Sequence, residues 1–211
     1  PMGTPVMDES DSSNADDPNK MGDPSDPNEN DPTGTTLPEN PGLGIAKEVV
    51  DVINNGDGTY RAIFQLTIEN FGNVDLNDLV VTDDIETQFA GMDPRDYETI
   101  DGTLTGNTSW DGTTTSNVLA DGQTIVAGGV EVVSIAFTVT PGTIEMEENI
   151  AVVTGTTPTE GTMVTDVSTI GTDPDGDDND GIPDDHGAKY LVFFSPLVPS
   201  KREKNLLSLL S

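Results

Sequence analysis

With 211 residues and no cysteine, the chain has the length of one ordinary domain with flanks. Disulfides, thiolate metal sites and a cysteine nucleophile are excluded. Its net charge of -31, from 39 acidic against 8 basic side chains, repels nucleic acid and anionic lipid and attracts cations. No apolar run reaches the roughly 18 residues of a membrane span, and neither a signal peptide nor an initiator Met is visible at Pro1, so a processed form or a fragment is expected.

In chain order, the first signal is a phrase that occurs twice. Gly3-Thr4-Pro5-Val6-Met7-Asp8-Glu9-Ser10 matches Gly161-Thr162-Met163-Val164-Thr165-Asp166-Val167-Ser168 in the same frame, and an acidic stretch follows each copy. A repeating array explains a phrase that both opens and closes the text. Residues 1–42 are therefore expected to be an end-of-repeat strand followed by an acidic Pro/Asp linker. From Asp8 to Asp31 that linker holds too few aliphatic side chains to offset its chain entropy.

Residues 43–168 read as strands. Leu43 to Ile53 is apolar and β-branched, and Asn54-Asn55-Gly56-Asp57-Gly58 is a hairpin signal, because Asn and Gly tolerate positive φ. Tyr60, Ala62, Phe64, Leu66 and Ile68 alternate with polar residues at period two, and Asn70-Phe71-Gly72-Asn73 turns the chain. Leu79 to Val81 is a strand ending at Thr82-Asp83-Asp84. Met92 to Gly112 is polar, with Trp110 as an anchor, and Asn117 to Ala127 predicts one or two short strands. Val133, Ile135, Phe137 and Val139 alternate until Pro141-Gly142, and Ile150 to Val153 and Thr162 to Val167 close the set. Seven or more short strands in roughly 125 residues, with no helical periodicity, predict an all-β, immunoglobulin-like antiparallel β-sandwich.

The order of Gly44-Ile45-Ala46-Lys47, Asn70-Phe71-Gly72-Asn73-Val74, Val80-Val81-Thr82-Asp83-Asp84 and Asn149-Ile150-Ala151-Val152 resembles the DUF11-type conserved repeat domain of bacterial surface proteins. That resemblance covers about Leu43 to Ser168. It implies an immunoglobulin-like sandwich in tandem, with the acidic flanks as linkers between repeats.

Residues 169–187 suggest calcium. Asp173, Asp175, Asp177, Asn179, Asp180, Asp184 and Asp185 supply oxygens at spaced positions, with glycines where the backbone must turn, as Ca²⁺ coordination requires. The segment resembles thrombospondin type 3 loops. It departs from an EF-hand, since Asp178 stands where the sixth-position Gly belongs and no Glu closes the loop. Asp166 on the preceding strand, and Asp8, Asp11, Asp16 and Asp17 in the first flank, are further candidate ligands. The competing reading is a solvated acidic linker.

Two more constellations carry chemistry. Lys47 lies in an apolar first strand, Asp83 ends a middle strand, and Asn149 is expected to open a late one. A buried lysine beside an Asn carboxamide and a protonated carboxyl has the parts of a Lys–Asn isopeptide bond. The alternative has Lys47 reaching solvent, Asn149 making a turn and Asp83 capping a strand end. The duplicated phrase would also suit strand donation between subunits, or it is the stub of a preceding repeat. Asn107-Thr108-Ser109 is a glycosylation acceptor sequence, and Trp110 and Tyr97 suit either sugar stacking or packing. His186 is the only histidine, which leaves no material for a histidine triad. Residues 188–211 combine an apolar Tyr190 to Phe194 with a basic, Leu-rich end, and start a next unit, dock as a strand or stand apart.

The expected function is mechanical: a non-enzymatic repeat unit of an extracellular bacterial surface fibre or stalk. Units would associate head-to-tail through linkers stiffened by Ca²⁺, with no nucleic acid partner and no membrane insertion. The alternative is a module of a calcium-dependent adhesin that grips a glycan or a cell-surface ligand through Met92–Gly112.

Overall fold

A computed structural model describes residues 38–141, 145–175 and 190–194, with side chains described for 38–141 and 149–175. The chain divides into two units, Pro1–Pro38 and Glu39–Ser211, and the second holds the described strands.

Alternation of apolar and polar residues builds two facing sheets. The first contains β1 (Leu43–Asn54), β2 (Tyr60–Asn70), β4 (Arg95–Ile100), β5 (Val130–Val139) and β9 (Thr169–Ile170), in the order β4-β5-β2-β1-β9. The second contains β3 (Asn77–Asp83), β7 (Ala151–Thr156) and β8 (Met163–Val167), in the order β3-β7-β8. Apart from the two-residue β9, which pairs in parallel, four antiparallel strands face three, the strand arrangement of a constant-type immunoglobulin sandwich. The fold is an immunoglobulin-like β-sandwich.

The predicted hairpin forms, with Asn54 paired to Tyr60 and Gly56 and Gly58 at positive φ. Inward residues of both sheets meet in one core, with Phe64 and Phe137 stacked at 5.7 Å and Phe89 tilted against Phe137 at 4.9 Å. Phe89 follows a single helical turn, α1 (Ile85–Gln88), whose first turn is capped by the Asp84 carboxylate.

The sheets are tied at a strand that changes partners. Ser168 stands between β8 and β9, its N–H donating to Ala151 O and its hydroxyl accepting from Ala151 N–H. The chain then pairs in parallel with β1, Ala46 opposite Thr169 and Lys47 opposite Ile170. Phrase 161–168 thus builds β8, at the edge of the three-stranded sheet. Its copy at 3–10 lies outside the described residues.

Two expectations differ from the structure. Asn117 to Ala127 makes isolated bridges, Leu119 to Gly106 and Ile125 to Leu76, where strands were expected. The Asn117 side chain explains this, since its Oδ1 accepts from Val81 N–H and its Nδ2 donates to Leu79 O. An Asn side chain there satisfies an edge strand that a regular ladder would otherwise cover. The second difference is at Asn149, which closes β6 (Glu145–Asn149); β7 starts two residues later. β6 pairs antiparallel with β10 (Tyr190–Phe194), Asn149 opposite Tyr190.

Candidate functional site

Alternation along β1 points Leu43, Ile45, Lys47 and Val49 into the core, so a lysine occupies an apolar position. Its relative exposure is 0%, and neighbouring β2 places the Phe64 ring 4.6 Å from its ammonium nitrogen. Lys47 does not reach solvent, and the reading in which it does is corrected. Along β3, Leu79, Val81 and Asp83 point inward by the same rule, and Asp83 is 1% exposed. The two strands lie in opposite sheets, and Lys47 Nζ is hydrogen-bonded to Asp83 Oδ2 across the sandwich.

Asn149 is the third member. Asp83 pairs with Ala151 in the β3–β7 ladder. Two residues upstream, Asn149 shares the inward side and is 1% exposed. Neither Asn149 Nδ2 nor Asn149 Oδ1 has a hydrogen-bond partner, and neither does Asp83 Oδ1. The backbone beside Asn149 is held by Gln88, a residue that no sequence signal singles out: on α1, it donates from Nε2 to Ile150 O at 3.2 Å and accepts at Oε1 from Ile150 N–H at 2.6 Å.

Burial governs the electrostatics. Desolvation pulls the Lys47 ammonium below its ordinary range, and the Asp83 charge opposes this only in part. Desolvation likewise pushes the Asp83 carboxyl up to about 6, again with Lys47 as the opposing influence and Asp84 adding to the rise. Both shifts favour the neutral forms, an amine and a carboxylic acid, because neither charge finds water. Lys47 and Asp83 thus place a nucleophile against an acid in the core, and Asn149 is a buried carboxamide two residues along the chain from Ala151, the ladder partner of Asp83.

The expected calcium ligands fall in two groups. Asp177, Asn179, Asp180, Asp184, Asp185, Asp8, Asp11, Asp16 and Asp17 lie outside the described residues. Among those described, no group of three or more acidic or histidine side chains is arranged to hold a metal. The Asp166 carboxylate accepts from Ile45 N–H at 2.8 Å and so fastens β8 to β1. Asp173 accepts from Asp175 N–H at 3.1 Å in a local turn. Glu69 lies near both, its carboxyl raised first by burial and then by Asp173 and Asp175.

Tyr97 and Trp110 pack edge-to-face at 5.7 Å, with Trp110 4% exposed, so the indole is a core anchor and not a sugar platform. Asn107 uses its side chain internally, donating to Asn117 O and accepting from Ser109 N–H.

No family model and no curated protein matches the chain. Solved structures that resemble it include the N-terminal domain of PorA, at 12% identity and a TM-score of 0.29 over 62% of this chain and 98% of that one. Another is the PapD-like domain 7 of human CEP192, at 16% identity and a TM-score of 0.26 over 67% of this chain and 92% of that one. At that level the likeness says nothing of function, and the fold assignment rests on strand order.

Proposed function

We propose that the chain is a DUF11-type structural repeat of an extracellular bacterial surface fibre or stalk, a mechanical element with no enzymatic turnover of an external substrate. The observation that supports this most is the parallel pairing of β1, which opens the sandwich, with β9, which closes it. Tension applied at the two ends of the sandwich pulls such strands in opposite directions along their length. Their contacts then resist in shear, together, whereas an antiparallel hairpin pulled at its open end loses bonds one at a time. The contacts are the β1–β9 ladder, Gly171 N–H to Lys47 O at 3.0 Å, and Ile45 N–H to the Asp166 carboxylate.

The approach to β1 is fixed as well. Glu39 accepts from Thr159 N–H and Glu160 N–H, so the sandwich grips its incoming chain before the first strand begins.

In this reading successive units meet head-to-tail, and Ca²⁺ neutralises the self-repelling acidic linkers. The Asp-x-Asp spacing from Asp173 and the like-charge crowding of Glu69 with Asp173 and Asp175 support a cation at the joint. Pulling the protein end to end in single-molecule force spectroscopy, in Ca²⁺ and again in EGTA, tests both parts. The expected record is a sandwich that holds to high force in either solution, with flanks more compliant in EGTA. Stepwise peeling of strands at low force would overturn the mechanical reading, and flanks of equal compliance would overturn the role of Ca²⁺.

A further inference from the structure

We propose that Lys47 and Asn149 condense within the folded domain to an intramolecular isopeptide bond, with Asp83 as the acid–base catalyst. β1 is thereby joined covalently to the β6–β7 junction across the sandwich. The proposal does not rest on the fibre reading, because it follows from the interior of this one domain.

Three observations carry it. First, a lysine at 0% exposure is among the rarest occupants of a core, and a leucine would pack at its position with no charge to desolvate. Second, the opposite sheet supplies Asp83 directly against Lys47 Nζ, the atom that would react. Third, Asn149 presents a buried carboxamide with both polar atoms unpartnered. A native core satisfies nearly all of its buried polar groups, so Asn149 Nδ2, Asn149 Oδ1 and Asp83 Oδ1, all unpartnered, call for a reason. Condensation supplies one. It removes Nδ2, consumes the amine, and leaves the new amide carbonyl facing a carboxylic acid that donates to it.

The step balances without a co-reactant. The lone pair of neutral Lys47 Nζ attacks Asn149 Cγ while the protonated Asp83 carboxyl donates a hydrogen bond to Oδ1, where negative charge develops. Asp83 takes a proton from Nζ and delivers it to Nδ2. The Cγ–Nδ2 bond breaks as the Nζ–Cγ bond stands, and ammonia leaves. Asp83 ends protonated as it began, and nothing is oxidised or reduced. The surroundings suit each part: the Phe64 ring beside Lys47 keeps water from the amine. Gln88 holds both backbone groups of Ile150, which fixes where the Asn149 side chain starts.

The bond would also define a force path. Tension entering on β1 would pass from Lys47 to Asn149 and leave along β7 to β9, so residues 48–148 would bear none of it. That segment, roughly 100 residues at about 3.4 Å each when extended, would be missing from the unfolding length of a pulled domain.

Intact mass of the purified full chain is the test, with peptide mapping. The expected mass is about 17 Da below the sequence mass, one ammonia, in the wild type, and at the sequence mass in Lys47→Met and in Asp83→Ala. A succinimide at Asn55-Gly56 would lose the same mass, so the linkage itself must be found. Trypsin would not cut after a blocked Lys47, and fragment 21–61 would appear joined to fragment 96–189. A folded wild type at full sequence mass would overturn the proposal. So would a 17 Da loss that persists in Lys47→Met, or a digest in which fragments 48–61 and 96–189 appear separately. The wild-type digest decides the matter even if a variant fails to fold.

Discussion

Two asparagines of this domain are equally buried and oppositely treated. Asn70, 0% exposed, ends β2 at the turn to β3, and its carboxamide is fully used. Its Nδ2 donates to Val74 O, Ile125 O and Val126 O, and its Oδ1 accepts from Gly72 N–H at 2.9 Å. Asn149, 1% exposed, lies at the β6–β7 junction and uses neither polar atom. The first amide replaces backbone pairing that a tight turn cannot make, which is why the turn is ordered. The second has no structural work of that kind, and it lies two residues from Ala151, the ladder partner of Asp83. Burial alone therefore does not say what a polar residue is for; its partners do.

Substituting the two asparagines turns this contrast into opposite-looking data. Asn149→Ala would delete a crosslink that closes a loop of roughly 100 residues, worth on the order of 4–5 kcal/mol by analogy with a disulfide of that span. The urea midpoint should fall accordingly. Without a crosslink the same substitution removes an unsatisfied amide, and the midpoint should stay or rise. Asn70→Ala should lower stability by about 3 kcal/mol in either case, because it strands buried carbonyls and Gly72 N–H. A fall for Asn70→Ala with none for Asn149→Ala would end the isopeptide proposal.

A second experiment sharpens the electrostatic half. In Lys47→Met the acid loses its partner, so Asp83 should remain at or above its value of about 6, against an ordinary 3.8. A carboxyl raised on folding favours the protonated fold, so its stabilising contribution is complete below the ordinary value and is lost as pH rises through the folded one. Lys47→Met should thus be more stable at pH 4 than at pH 7.5, by about 2–3 kcal/mol. With Lys47 gone, the charged neighbour that remains is Asp84, which adds to the shift. A flat urea midpoint over that range would show that Asp83 is not desolvated.

The smallest effect is expected at the surface. Arg61 and Glu98 are paired between β2 and β4, but both side chains are substantially exposed. Arg61→Ala should change stability by less than about 1 kcal/mol, and the change should shrink in salt. A loss as large as that at Asn70 would contradict the division drawn here between exposed and buried polar pairs.

The sandwich was legible because its signals are local. Period-two alternation in Tyr60–Ile68 and Val133–Val139 tells which face is buried whatever the partner, and Asn54–Gly58 sets its hairpin through backbone preferences. The stretch from Asn117 to Ala127 looks like strand from its β-branched residues but forms only isolated bridges. What decides that stretch is one side chain, Asn117, meeting the edge of β3. Sequence alternation assigns Asn149 to the later strand, whereas it closes β6, because Gln88 from elsewhere in the chain holds Ile150 at the interruption.

The sequence by itself determined the all-β class, the inward faces of the long strands β1, β2 and β5 and the presence of one lysine in an apolar position, because these depend on near neighbours. It showed neither β4, which lies in the polar stretch after Met92, nor the bridges that replace strands at Asn117 to Ala127. Tertiary structure alone decided that Lys47, Asp83 and Asn149 share one dry interior. Lys47 and Asp83, 36 positions apart, meet only when two sheets close on each other, and Asn149 is buried next to the strand that pairs with β3. Whether a carboxyl is then charged, or an amide satisfied, depends on the water and partners left after that closure.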